Sequence, residues 1–143
     1  MVDDFAPWTR YLVAKLGENP NLHVVGLASD GLEAVLKAAE LQPDLILMDI
    51  NLPKLSGIAV ARTVRRVSPE SKILFVSQDL DPEVARAALD AGGLGFVVKF
   101  DAESELFAAV EAVMLGKKFV SGQLASHDLT GFMGAQTPVR GCF

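Results

Sequence analysis

Asp49 closes the apolar run Asp44-Leu45-Ile46-Leu47-Met48 and precedes Ile50-Asn51-Leu52-Pro53, which puts a carboxylate at the end of what reads as a fully buried strand. In an open parallel sheet covered by helices, ligands gather beyond the carboxyl ends of the strands, so this carboxylate is placed to react. Three further polar positions fall at equivalent points: the pair Asp3 and Asp4, Ser77 after Ile73 to Val76, and Lys99 after Gly95 to Val98. An acidic pair, a lone aspartate, a hydroxyl and a lysine form a coherent pocket for a divalent cation and a phosphoryl group. Each residue has an ordinary reading alone. Asp49 and Asp4 suit turn or helix caps, Ser77-Gln78-Asp79 is common turn chemistry, and an isolated lysine is by default solvated. Their shared position at strand ends is what points to chemistry.

The elements that must hold these groups are visible as an alternation of strand-length apolar blocks with helical periodicity, the pattern of repeated strand-helix units around a parallel sheet. The strands are expected at Leu22 to Leu27, Leu45 to Met48, Ile73 to Val76 and Gly95 to Val98. Trp8, Leu12 and Leu16 mark a first helix from about Ala6 to Leu16, ending at Gly17. Leu32, Val35, Leu36 and Ala39 mark the inner face of a second, and Val60, Val64 and Val67 that of a third. A fourth is bounded by the cap Asp81, Pro82 and the stop Gly92, and a fifth runs from about Ala102 to Leu115 behind Asp101. In the fifth, Leu106, Ala109, Val110 and Val113 face inward. Glycines and a proline interrupt periodicity after residue 120, so one domain over 1–120 and a tail or linker over 121–143 are expected, with a short helical turn available to Leu124–Leu129.

The start of the chain breaks the pattern. Only Met1 and Val2 precede Asp3, whereas a strand carrying an acidic pair at its end needs about 4 to 6 residues. The first strand is expected to be truncated, through a shortened chain or a start codon set too late.

A chain of 143 residues, half of them hydrophobic, suffices for one well-buried domain. The formal net charge of −5 argues against nucleic-acid binding by this chain, since such surfaces carry a basic face. Cys142 is the single cysteine, which excludes an internal disulfide and a thiolate metal cluster and suits a reducing cytoplasm. No apolar run approaches the ~18 residues of a membrane span.

These residues resemble the receiver domain of two-component response regulators over about residues 2–120. The resemblance rests on Val2-Asp3-Asp4, on Asp49-Ile50-Asn51-Leu52-Pro53 with Gly57 in the following loop, on Ser77, and on Gly95-Phe96-Val97-Val98-Lys99. Val24-Val25-Gly26, Ala28-Ser29-Asp30-Gly31-Leu32-Glu33-Ala34 and Gly116-Lys117-Lys118-Phe119-Val120-Ser121 are similar to the subfamily whose receivers usually precede a helix-turn-helix output domain. The implied fold is a flavodoxin-like doubly wound parallel α/β sheet of order 2-1-3-4-5 with five helices.

The resemblance also implies roles. Asp49 would be the phosphoacceptor, taking a phosphoryl group from a histidine kinase or phosphotransfer protein. Mg²⁺ would be held by Asp3, Asp4, Asp49 and the backbone carbonyl of Asn51, while Lys99 and Ser77 would contact the phosphoryl oxygens. Ser77 and Phe96 would form the switch, reshaping the face of the fourth helix, fifth strand and fifth helix, near Val84, Leu89 and Phe100, as a partner or homodimer surface. The protein would then be a signalling switch and not a turnover enzyme. The alternative is a receiver-like interaction module that is not phosphorylated. A nucleotide-binding enzyme is disfavoured because no strand is followed by a glycine-rich phosphate loop.

Overall fold

The structure, a computed structural model, describes residues 1–53 and 55–125. Helices α1 (Ala6–Leu16), α2 (Gly31–Leu41), α3 (Gly57–Val67), α4 (Pro82–Asp90), α5 (Ala102–Met114) and α6 (Gly122–Ala125) alternate with strands β1 (Leu45–Met48), β2 (Lys72–Ser77), β3 (Gly95–Val98) and β4 (Phe119–Val120). The strands pair in parallel in the order β1-β2-β3-β4, with Met48 opposite Phe75, Phe75 opposite Phe96 and Phe96 opposite Val120. The fold is flavodoxin-like α/β, as the apolar strands imply.

Because successive strand residues face opposite sides, the continuous apolar runs feed two cores. Met48, Ile73, Phe75, Phe96 and Val98 pack with Ala34, Ala38, Val60, Val64, Ala85 and Ala88 from α2, α3 and α4. Leu47, Leu74, Val76 and Val97 pack on the other side with Leu12, Leu16, Leu106, Ala109, Val110 and Val113 from α1 and α5. The expected inner faces of α1 and α5 are therefore the observed ones. Asp81 caps α4 by accepting the Glu83 N–H at 2.9 Å.

Three expectations are corrected. The inner face of α2 is shifted: Ala34 and Ala38 are buried, whereas Leu32 and Leu36 are 52% and 71% exposed. The reason is close approach to α3, since a Cβ on Gly31 would come within 2.8 Å of Leu55 and Val60, and larger side chains on that stripe would hold the helices apart. The packed body also runs past residue 120, because Ser121 and Leu124 are buried, so the expected tail over 121–143 does not begin at 121. Residues 126–143, including most of the expected Leu124–Leu129 turn, lie outside the described residues.

The third correction concerns the expected strand Leu22–Leu27. It is not a strand; only the adjoining Ala28 makes a single parallel bridge to Val2, which in turn bridges Met48. The order 2-1-3-4-5 survives as this one-residue remnant of its first two members. An extended segment needs a neighbour to satisfy its main chain, and among the described residues only Gly26 and Ala28 are met here, by the main chain of Met1 and Asp3. A cavity of about 520 Å³ lies where a longer strand would run, lined by Val24, Gly26, Ala38, Leu45, Leu47 and Met114 among others.

The amino terminus points into this opening. The Met1 ammonium donates to the Gly26 carbonyl at 3.2 Å. Burial, reinforced by the charge of Lys37, pulls its pKa from 8.0 down to about 6. An amine whose folded pKa is lowered binds fewer protons folded than unfolded, so stability falls as pH drops through that interval. Urea unfolding should show about 2 kcal/mol less stability at pH 6 than at pH 8. N-terminal acetylation, which keeps an N–H donor and removes the charge, should abolish that difference; an acetylated chain with the same pH dependence would contradict this origin.

Candidate functional site

Val2 fixes the site although it is almost the whole of its strand. Its N–H donates to the Leu47 carbonyl at 2.8 Å, and its carbonyl accepts the Asp49 N–H at 2.9 Å. The Asp3 N–H donates to Ala28 at 3.0 Å. Two parallel bridges thus set Asp3 beside Asp49 at the carboxyl edge of the sheet.

Lys99 arrives from the end of β3, in a 3₁₀ turn over Lys99–Asp101. Asp101, expected only as the cap of α5, forms part of that turn. The Lys99 Nζ lies 2.8 Å from Asp3 Oδ2 and 3.4 Å from Asp49 Oδ2, and all three side chains are buried. Asp4 is exposed at the rim, and oxygens of Asp3, Asp4 and Asp49 all lie within 4.8 Å of one another. Three carboxylates thus face one ammonium.

Local hydrogen bonds orient the acids. Asp49 Oδ1 accepts the Ile50 N–H at 2.7 Å, and Asp3 Oδ1 accepts the Phe5 N–H at 2.9 Å. Burial raises the Asp49 pKa above the ordinary carboxylate value, against the opposing attraction of Lys99 and with the added repulsion of Asp3.

The loop after Asp49 is pulled tight by Gly57. Its N–H donates to the Ile50 carbonyl at 2.7 Å, and a Cβ there would lie 2.1 Å from the Asp49 carbonyl oxygen. Ser56 caps α3 by accepting the Ala59 N–H. Asn51 is exposed within this loop.

The other sequence candidates lie close by in the fold without joining the acids. Ser77 is fully buried at the end of β2, opposite Val98, and its Oγ accepts the Asp79 N–H at 3.1 Å. The turn chemistry and the site position therefore coexist at this residue. Phe96 is fully buried and packs on Phe75 with ring centroids 6.5 Å apart, so the inward orientation is the one present.

Two features escaped the sequence reading. Trp8, assigned only to the sheet-facing stripe of α1, lies with its ring centroid 5.1 Å from Lys99 Nζ; its place one turn after the acidic pair was the available signal. Ser121 was assigned to the tail, yet its Oγ accepts the Val98 N–H at 2.8 Å and donates to Glu105 at 2.6 Å, bracing the strand end before Lys99. The stretch Gly116 to Ser121, which carries part of the resemblance, was the available signal. Beside Lys99 opens a recess of about 710 Å³ walled by Phe5, Trp8, Tyr11, Leu80 and Phe100.

Comparison with known proteins gives consistent matches. Residues 1–111 match the response regulator receiver domain. Response regulator GacA of Pseudomonas syringae pv. syringae (strain B728a) is 31% identical over 127 residues, covering 89% of this chain and 59% of that protein. Transcriptional activator protein ExaE of Pseudomonas putida is 35% identical with the same coverage. The chain therefore spans about three fifths of the length of these relatives. Among solved structures, a two-component response regulator of the LuxR family from Aurantimonas sp. SI85-9A1 superposes with a TM-score of 0.84 at 28% identity, covering 95% of this chain and 94% of that one. The response regulator domain of Thermotoga maritima CheB gives 0.74 at 31% identity, covering 80% and 92%.

Proposed function

Because this chain belongs to the family of response regulator receiver domains, we propose that Asp49 accepts a phosphoryl group and that the protein acts as a signalling switch, not a turnover enzyme. The donor is a phosphohistidine on a histidine kinase or phosphotransfer protein. An Asp49 carboxylate oxygen attacks phosphorus, the P–N bond breaks, and the departing imidazole takes up a proton, leaving an acyl phosphate. The observation that carries this reading is the meeting of Asp3, Asp4 and Asp49 oxygens within 4.8 Å, with the Lys99 ammonium bridging two of them.

The acidic cluster fits Mg²⁺. Mg²⁺ is a hard cation that takes carboxylate oxygens, and oxygens of these three acids gather within 4.8 Å of one another. Asp3, Asp4, Asp49 and the Asn51 carbonyl would hold it, and when bound it supplies charge neutralisation for the phosphoryl oxygens. Lys99 transfers its ammonium from the acids to a phosphoryl oxygen. Ser77 Oγ accepts from Asp79 and so keeps its own proton for donation. Its movement would reset the loop before α4 and the packing of Phe96, changing the surface of α4, β3 and α5 for a partner or a second copy. Phe100, 87% exposed beside that surface, is its most accessible aromatic residue.

No helix among the described residues is long and apolar enough to cross a membrane. Together with the family this supports a cytoplasmic switch. Incubation with Mg²⁺ and acetyl phosphate or phosphoramidate should add one phosphoryl mass to the intact chain, and Asp49→Asn should eliminate the gain. Folded protein that gains no mass would instead favour a non-phosphorylated interaction module, the reading that the single-residue Val2 bridge supports.

A further inference from the structure

The structure assigns Trp8 a role beyond seating α1: we propose that its indole face positions the Lys99 ammonium within the acid cluster. The inference rests on the phosphoryl-accepting reading of that cluster and adds to it a residue on α1. Lys99 Nζ lies 5.1 Å from the Trp8 ring centroid while also contacting Asp3 at 2.8 Å and Asp49 at 3.4 Å. The ammonium is thus met by two carboxylates and an aromatic face.

The physical need for such a wall follows from lysine itself. Its four-carbon stem is flexible and its charge has no directional fork, so a cluster of acids offers several poses of similar energy. An indole face attracts a cation without neutralising it. The ring therefore narrows the poses while leaving the full charge available for a phosphoryl oxygen. Trp8 is itself held. Tyr11 packs against it with centroids 5.2 Å apart, and the buried Leu12 and Leu16 fix α1 on the sheet. The indole N–H is buried with no hydrogen-bond partner among the described residues, so ring-face contact and packing, and no polar anchor, account for its position. Trp8 acts through Lys99 and is a positioning residue.

The test compares the full chain with Trp8→Leu, Trp8→Phe and a series carrying fluorinated tryptophan at this position, which is the sole tryptophan in the sequence. Fluorination weakens the cation attraction of the face while nearly preserving shape. With acetyl phosphate and Mg²⁺ in excess, Trp8→Leu should lower the maximal rate of phosphoryl uptake roughly tenfold. Trp8→Phe should recover most of it, and successive fluorines should lower the rate stepwise at unchanged melting temperature. A flat fluorine series, or a Trp8→Leu chain that reacts at the wild-type rate, overturns the proposal.

A second measurement separates this failure from failure of the phosphorylation reading. Without any phosphodonor, Lys99→Met should shift the emission of Trp8 through loss of the adjacent charge. Such a shift supports the contact even if the wild type never gains a phosphoryl group; unchanged emission overturns it.

Discussion

Gly57→Ala is expected to lose at least about 3 kcal/mol of stability and to melt roughly 10 °C below the wild type. The added methyl carbon would sit 2.1 Å from the Asp49 carbonyl oxygen and 2.8 Å from the Ile50 Cα. Both obstacles are backbone, so no rotamer change relieves the clash. The loop has to swing outward, breaking the 2.7 Å hydrogen bond from Gly57 N–H to the Ile50 carbonyl and shifting the first turn of α3. Because the displaced atoms belong to Asp49, the proposed phosphoacceptor, phosphoryl uptake should fall with stability even in the fraction that stays folded. Thermal unfolding followed by circular dichroism measures the first effect and intact mass the second. A variant melting within 2 °C or so of the wild type would show that the loop is looser than this geometry.

Asp49→Asn should move stability in the opposite direction while removing phosphoryl acceptance altogether. The buried carboxyl has a raised pKa. Between the usual carboxylate pKa and the raised one, the folded chain binds more protons than the unfolded chain, so this group makes stability fall as pH rises. The penalty is complete above the folded pKa. An amide of the same shape avoids it, keeps an oxygen for the Ile50 N–H, and leaves Lys99 its 2.8 Å pair with Asp3. A gain of about 1 kcal/mol at pH 7 is expected, as for other relieved functional sites. The gain should shrink as the solution is acidified through the folded pKa, since the wild-type carboxyl then becomes neutral too. Urea titrations at pH 7 and pH 4 would reveal this; an amide variant less stable at pH 7 would mean that the attraction of Lys99 outweighs burial.

The geometry of the candidate site was largely legible in the sequence because Asp49 and Lys99 each follow an apolar strand, while the acidic pair follows only the one-residue remnant of one. That placement depends on the alternation of elements, and not on details of packing. Asp3, Asp49 and Lys99 meet as the pattern requires. What the sequence concealed depends on neighbours. Leu22–Leu27 has strand composition, but a strand exists only with a partner, and Val2 reaches no further than Ala28. Leu32 and Leu36 have helical spacing, but the choice of buried face was made by the small stripe of Gly31, Ala34 and Ala38 that lets α2 approach α3. The two-residue β4 has too little sequence to announce itself and forms because β3 offers an edge at Gly95 and Phe96. Trp8 belongs to the site only through the long reach of Lys99.

The opening beside Met1 bears on how this protein behaves when concentrated. β1 ends the four-stranded ladder, and among the described residues only Val2 bridges its outer side. Across the gap, Val24, Val25 and Leu27 are extensively exposed. Uncapped peptide groups flanked by apolar side chains are templates for cross-molecular β-assembly, which native folds usually blunt with charge or cover. Lys37 on the Leu27 carbonyl and the Met1 ammonium on the Gly26 carbonyl supply local charge there. The chain's net charge of −5 adds a repulsion that fades at high salt or near the isoelectric point. Those are the conditions in which precipitation should begin, with the sheet otherwise intact.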